Sequence, residues 1–151
     1  MPAHTASLII SSPFEPPTHH WRRKSDSKLE LIDGRRPAGY EIFDTRNNTI
    51  RSVELDLVNR IRERVDAWRA AGYPGVTSVT RQLLAHWQDE EISRQYAFYF
   101  CQLEAIETLI CHVEAPADYK QGIAIPGDGG AWERVCNKMA TGSGKTTVMA
   151  M

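Results

Sequence analysis

Eight residues near the end of the chain, Met139-Ala140-Thr141-Gly142-Ser143-Gly144-Lys145-Thr146, constrain its fold more than any other feature. Gly142 and Gly144 free the backbone to curl, so that successive N–H groups turn inward with no Cβ in the way. Lys145 follows the second glycine and brings a cation to the rim of that curl. Thr146 adds a hydroxyl suited to a hard divalent cation. Such a loop is entered by a strand and left by a helix. Glu133 to Met139 is the expected strand, and Thr147-Val148-Met149-Ala150-Met151 is the expected start of a helix facing the loop. The apolar approach and helix-capable exit argue against a Gly-Ser-Gly-Lys-Thr run in a flexible linker.

The general pattern for loops of this kind is G-x-x-x-x-G-K-[ST], and Met139 stands where the first glycine belongs. With that change, Met-Ala-Thr-Gly-Ser-Gly-Lys-Thr resembles motif I of superfamily 2 helicases, in particular the motor subunits of type I and type III restriction enzymes. The resemblance implies a RecA-like motor domain. ATP would be held by Thr141, Gly142, Ser143, Gly144, Lys145, Thr146 and Thr147. Lys145 and Thr146 would be the catalytic pair, with Mg²⁺ held through Thr146 and the nucleotide.

A second segment is similar to the same superfamily. Tyr99-Phe100-Cys101-Gln102-Leu103-Glu104-Ala105-Ile106-Glu107 looks like the stretch that carries an adenine-reading glutamine behind an aromatic residue. Gln102 suits that task because an amide donates and accepts at once, matching the N6/N7 edge of adenine. Phe100 or Tyr99 would then stack on or wall the base. The plainer reading of Gln102 is a cap on an amphipathic helix.

Leader segments extend the resemblance over essentially the whole chain. They are Ser12-Pro13-Phe14-Glu15-Pro16-Pro17-Thr18-His19-His20-Trp21-Arg22, Gly34-Arg35-Arg36-Pro37, and Trp68-Arg69-Ala70-Ala71-Gly72-Tyr73-Pro74-Gly75-Val76-Thr77. The implied protein is an ATP-dependent DNA helicase or translocase of the type III restriction-subunit kind. Its expected partners are DNA and a modification methyltransferase subunit, and its nuclease is a separate region. On this reading the chain is the front end of the motor. The Mg²⁺-holding Asp-Glu pair, the arginine finger and the second motor domain are expected beyond Met151, so hydrolysis is not expected of these residues alone.

Composition neither supports nor opposes DNA binding. The formal net charge is −1, so the electrostatic attraction of a basic protein for phosphate is missing. Locally, His19-His20-Trp21-Arg22-Arg23-Lys24 and Arg35-Arg36 are basic. They read either as a phosphate-backbone contact or as a solvated surface with Trp21 packed inward. His19-His20 has no third metal ligand nearby. Cys101, Cys111 and Cys136 show neither C-x-x-C spacing nor an even count, and are read as buried free thiols. No stretch approaches the length of a membrane span. Leu8-Ile9-Ile10 is too short for a signal peptide, and a cytoplasmic location is expected.

The organisation reads as an irregular leader over residues 1–50 with short strands, a helical hairpin over 51–92, and the opening of a RecA-like domain over 93–151. The fold class is thus α/β for the parent protein. The chain itself is expected to be mostly helical, with an α+β N-terminal region. Leu29 to Ile32 and Tyr40 to Phe43 are strand candidates, with Asp33-Gly34 as a turn between them. A helix is expected from Ser52, as N-cap, to Ala71, burying Val58, Ile61, Val65 and Trp68 and ending at Gly72. A second runs from Ser78 to Gln88, with Val79, Leu83, Leu84 and Trp87 on one side, and packs on the first. Asp89-Glu90-Glu91 marks a boundary. A third helix spans Cys101 to Val113 and buries Leu103, Ile106, Ile110 and Val113. The stretches 115–122 and 126–130 read as an extended surface loop. Two other functions fit the same residues: a P-loop ATPase that is not a helicase, and a non-enzymatic helical module with a fortuitous Gly-Ser-Gly-Lys-Thr.

Overall fold

The computed structural model describes residues 9–24, 28–89, 91, 97–132 and 134–151. Among them are four α-helices and two small antiparallel sheets, an α+β arrangement. The chain divides into two units, residues 1–36 and 37–151.

The first unit is a hairpin of β1 (His19–Arg23) and β2 (Leu29–Asp33), with Trp21 opposite Leu31. Its open end is closed by the Gly34 N–H, which donates to the Thr18 carbonyl at 2.7 Å. Gly34 has φ +90°, a backbone conformation that only glycine adopts readily. The two histidines serve this end. His19 Nε2 lies 3.3 Å from Asp33 Oδ1, and His20 Nδ1 lies 2.8 Å from the Gly34 carbonyl. Arg22 and Lys24 both pair with Glu30, so part of the basic run is neutralised within the hairpin, and Trp21 is half-buried.

The second unit opens with β3 (Gly39–Asp44) and β4 (Thr49–Glu54), paired with Phe43 opposite Ile50. Both strand candidates from the sequence are strands, but Asp33-Gly34 does not join them. β2 pairs back with β1, and β3 pairs forward across Thr45–Asn48. Asp44 builds that turn, its Oδ1 accepting from the Arg46 N–H at 2.9 Å. Ser52 and Glu54 belong to β4, so helix α1 (Asp56–Ala70) starts later than expected. Ala38 ties hairpin to helix: its N–H donates to Asn59 Oδ1 at 2.6 Å, and its carbonyl accepts from the Leu55 N–H at 2.8 Å.

Helix α1 ends as its glycine requires. Gly72 takes φ +77°, its N–H donates to the Arg69 carbonyl, and the Tyr73 N–H donates to the Trp68 carbonyl. Pro74 follows and its carbonyl accepts from Trp68 Nε1 at 2.9 Å. Helix α2 (Ser78–Trp87) is capped by Thr77, whose hydroxyl accepts from the Thr80 N–H. Glu114, at the end of helix α3 (Phe100–Glu114), anchors this start by accepting from the Thr77 N–H and the Thr80 hydroxyl, each at 2.7 Å.

The core joins α1 to α3 and to a 3-10 turn at Ala117–Lys120, rather than α1 to α2. Val65, Trp68, Cys111 and Ala115 are buried there, with Ile61, Tyr73, Val76, Ile110 and Tyr119 packed around them. Trp68 is fully buried and meets Tyr73 edge-on at 4.9 Å between centroids. Several expected core positions are outside: Val58, Val79, Leu83 and Val113 are exposed, while Leu84 and Trp87 are buried. Cys111 is buried, but Cys101 and Cys136 are exposed. Glu90 of the Asp89–Glu91 boundary and Leu8 lie outside the described residues.

Among the described residues the expected lead-in strand is absent. Residues 134–140 are irregular, both sheets are antiparallel, and Glu133 lies outside the described residues. A strand gains its hydrogen bonds only from a neighbour, and no described strand lies beside this segment to provide them. The exit behaves as expected, with helix α4 spanning Lys145–Ala150 and burying Val148 against α3. No helix among the described residues is long and apolar enough to cross a membrane.

Candidate functional site

The loop is built on two left-handed glycines. Gly142 and Gly144 both have φ +79°, and Gly144 forms the N-terminal boundary of α4. The two differ in what surrounds them. A Cβ placed on Gly142 would meet no atom within 4 Å, so the loop is open there. A Cβ on Gly144 would collide with the side-chain nitrogen of Gln102. Gly142 is needed for its backbone alone, and Gly144 for its backbone and for the close approach of that amide.

Gln102 is only 5% exposed, although it is polar and lies in the first turn of α3. Its Oε1 accepts from the Tyr99 N–H at 2.8 Å, and its Nε2 donates to the Ser143 carbonyl at 3.1 Å. The first bond is the helix cap anticipated for it. The second spans 41 residues of sequence and joins α3 to the glycine loop. Together they fix which end of the amide is oxygen and which is nitrogen. A flip would set two donors and two acceptors against each other. Among the described residues these two bonds leave one N–H and one lone pair on the amide.

Lys145 folds back over the loop. Its Nζ donates to the Met139 carbonyl at 3.1 Å and to the Ala140 carbonyl at 2.9 Å. The Ser143 hydroxyl donates to the same Ala140 carbonyl at 2.7 Å. An ammonium held by neutral carbonyls is positioned to prefer anionic oxygen, since charge-assisted bonds are roughly twice as strong as neutral ones. Thr141, Thr146 and Thr147 are exposed around the rim. Asn137 fixes the approach to the loop by donating to the Ala105 carbonyl of α3 at 3.1 Å.

The aromatic candidates occupy different surroundings. Tyr99 precedes α3 and is 40% exposed. Phe100 is half-buried, with the guanidinium carbon of Arg69 5.8 Å from its ring centroid.

A polar cluster outside the sequence motifs stands on the far side of α3. Glu107 is 2% exposed and accepts from Arg69 Nε at 2.9 Å, from Arg69 Nη2, from the Tyr73 hydroxyl at 2.7 Å and from Gln88 Nε2 at 3.2 Å. Burial works against the Arg69 charge, but Glu107 and Asp66 outweigh it and hold the guanidinium above its already high range. Burial, and then the bond to Glu107, push the Tyr73 phenol up to about 12. One clue was present in the sequence: Glu107 falls at the i+4 position from Leu103 and three before Ile110, inside the apolar stripe. Among the described residues no group of three metal-binding side chains comes together.

No protein-family model matches this chain, and comparison with curated proteins and with solved structures finds no significant similarity.

Proposed function

We propose that Thr141–Thr147 and Gln102 form the adenine-nucleotide site of an ATP-dependent DNA helicase or translocase of the restriction-enzyme kind. The observation that carries this reading is the Gln102 Nε2–Ser143 carbonyl bond, because it brings both sequence motifs to one place. The residues present fit a polyphosphate: the loop is open beside Gly142, and the Lys145 ammonium stands over it on two backbone carbonyls. Lys145 would leave its two carbonyls for phosphate oxygens, and Gly142 to Thr147 would offer backbone N–H groups around them. Thr146 would help hold Mg²⁺, which would supply neutralisation of phosphate charge.

The locked amide of Gln102 supports adenine over guanine. Its remaining N–H and lone pair complement the N7 acceptor and N6 donor of adenine, whereas guanine presents acceptors at both positions. A RecA-like motor fold, a cytoplasmic location, and DNA and methyltransferase partners belong to the same proposal and rest on the motif resemblance. A second reading is favoured by the Tyr99–Gln102 bond, in which Gln102 only caps α3 within a non-enzymatic module. A P-loop ATPase of other purpose is the third.

Titration with ATP and GTP separates these readings. The nucleotide site requires that Lys145→Ala weaken ATP binding at least about tenfold, the value of a lost charge-assisted bond. It also requires that Gln102→Ala narrow the preference for ATP over GTP. ATP affinity indifferent to Lys145→Ala would sink the proposal. Anisotropy of a labelled DNA duplex, with and without ATP, then distinguishes a DNA motor from another ATPase.

A further inference from the structure

Helix α3 has two working sides, and Phe100 and Gln102 lie on opposite ones. At 100° per residue, Gln102 is turned roughly 160° from Phe100, whereas Glu107 is within roughly 20° of it. The contacts agree with that geometry. Gln102 meets the loop at Ser143, and Asn137 of the loop's approach bonds the Ala105 carbonyl. Arg69 of α1 takes both Phe100 and Glu107 on the other side. The guanidinium therefore grips α3 at two points about two turns apart.

We infer that Arg69 and Phe100 are positioning residues: with Glu107 they clamp the back of α3 and fix the direction in which Gln102 faces the loop. Phe100 serves the clamp and not the base, and Tyr99, exposed and bonded through its N–H to the Gln102 amide, is the aromatic beside the base. This inference rests on the nucleotide reading above.

The physical reason is the geometry of a short lever. Gln102 holds the Ser143 carbonyl at 3.1 Å, near the long end of an N–H···O bond, so a small rotation of α3 breaks it. A planar guanidinium resists rotation because it bonds a carboxylate through two nitrogens while lying over a ring. Lysine keeps the charge and loses both constraints. Leucine at position 100 keeps the apolar volume and loses the ring face.

The experiment is a set of titrations with ATP, GTP and inorganic tripolyphosphate. The wild-type protein is compared with Phe100→Leu, Phe100→Tyr, Arg69→Lys, Tyr99→Ala and Lys145→Ala, each checked for native circular dichroism. The expected result is that Phe100→Leu and Arg69→Lys narrow the ATP/GTP ratio by on the order of fivefold, the value of about one hydrogen bond. Tripolyphosphate affinity should stay within about twofold. Phe100→Tyr retains the ring and the wild-type ratio. Tyr99→Ala should weaken ATP and GTP together by at least about fivefold, as loss of stacking does. The inference is overturned if Phe100→Leu weakens ATP and GTP equally with the ratio intact, since the ring then stacks on the base. It is equally overturned if Phe100→Leu and Arg69→Lys change nothing. Failure of the underlying reading looks different: wild-type protein then binds ATP no better than GTP, or binds it independently of Lys145.

Discussion

Glu107 and Arg69 form an ion pair across the α1–α3 contact, with the carboxylate almost wholly buried and the guanidinium only partly so. Both oxygens of Glu107 have donors, Oε2 from Arg69 and Oε1 from Tyr73 and Gln88. Removing the carboxylate takes the shared acceptor from four donor atoms, on Arg69, Tyr73 and Gln88. Glu107→Ala should lower unfolding stability by about 3 kcal/mol, the low end for breaking a buried pair, because Arg69 can still reach water. Urea denaturation at neutral pH measures this. A loss below about 1 kcal/mol would show that the network adds nothing to the fold.

The two loop glycines should respond differently to alanine. Gly142→Ala faces only the left-handed backbone, costing about 1–2 kcal/mol, with open space for the methyl group. Gly144→Ala meets the same strain and also drives the Gln102 amide off Ser143. Gly144→Ala should therefore be the more destabilising of the two. In the Gln102→Ala background its extra cost should shrink, because the colliding group is gone. Equal losses in both backgrounds, measured as a double-mutant cycle, would exclude the steric coupling.

Tyr73 makes the fold sensitive to alkali. Its phenol is pushed up to about 12 in the native state against 10 in the unfolded chain. The folded protein therefore keeps a proton that the unfolded chain releases, and stability falls as pH rises from 10 to 12. Below pH 10 the contribution is fully present. Tyr73→Phe should flatten this part of the stability curve, and an ultraviolet tyrosinate titration should show one late-titrating phenol. An unchanged slope in Tyr73→Phe would assign the effect elsewhere.

The three cysteines should separate by accessibility. Cys101 and Cys136 are exposed, while Cys111 is buried and its thiol is pushed up by that burial. A disulfide-exchange reagent on the native protein should modify two thiols quickly and the third only on unfolding, since thiolate fraction and access both govern the rate. Three thiols reacting in one fast phase would contradict the packing of α3 against α1.

Legibility differed from element to element for identifiable reasons. Helix α3 was expected at Cys101 to Val113 and spans Phe100–Glu114, yet its inner face is displaced. Gln102, Ala105, Glu107 and Cys111 are the buried residues, while Val113 is largely exposed. A single apolar stripe describes a helix with one neighbour. This helix has α1 on one side and the glycine loop with α4 on the other, so polar residues are drawn into both contacts. Strand partners differ from the Asp33-Gly34 turn expectation for a related reason: Leu29–Ile32 and Tyr40–Phe43 show themselves as strands locally, whereas the choice of partner is not local.

The sequence by itself determined what depends on neighbouring residues. Gly142 and Gly144 free the loop to turn, Gly72 ends α1, and the exit from the loop is helical. Each follows from the backbone freedom or hydrogen-bonding reach of one or two side chains. Only the tertiary structure decided that Gln102 meets Ser143 and that Glu107 meets Arg69, contacts that span 41 and 38 residues. In sequence Gln102 and Ser143 stand in two separate motifs and nothing pairs Arg69 with Glu107. Gln102 and Glu107 are buried because α1 and α4 pack on α3, and an amide or a carboxylate taken out of water is retained only if it is hydrogen-bonded.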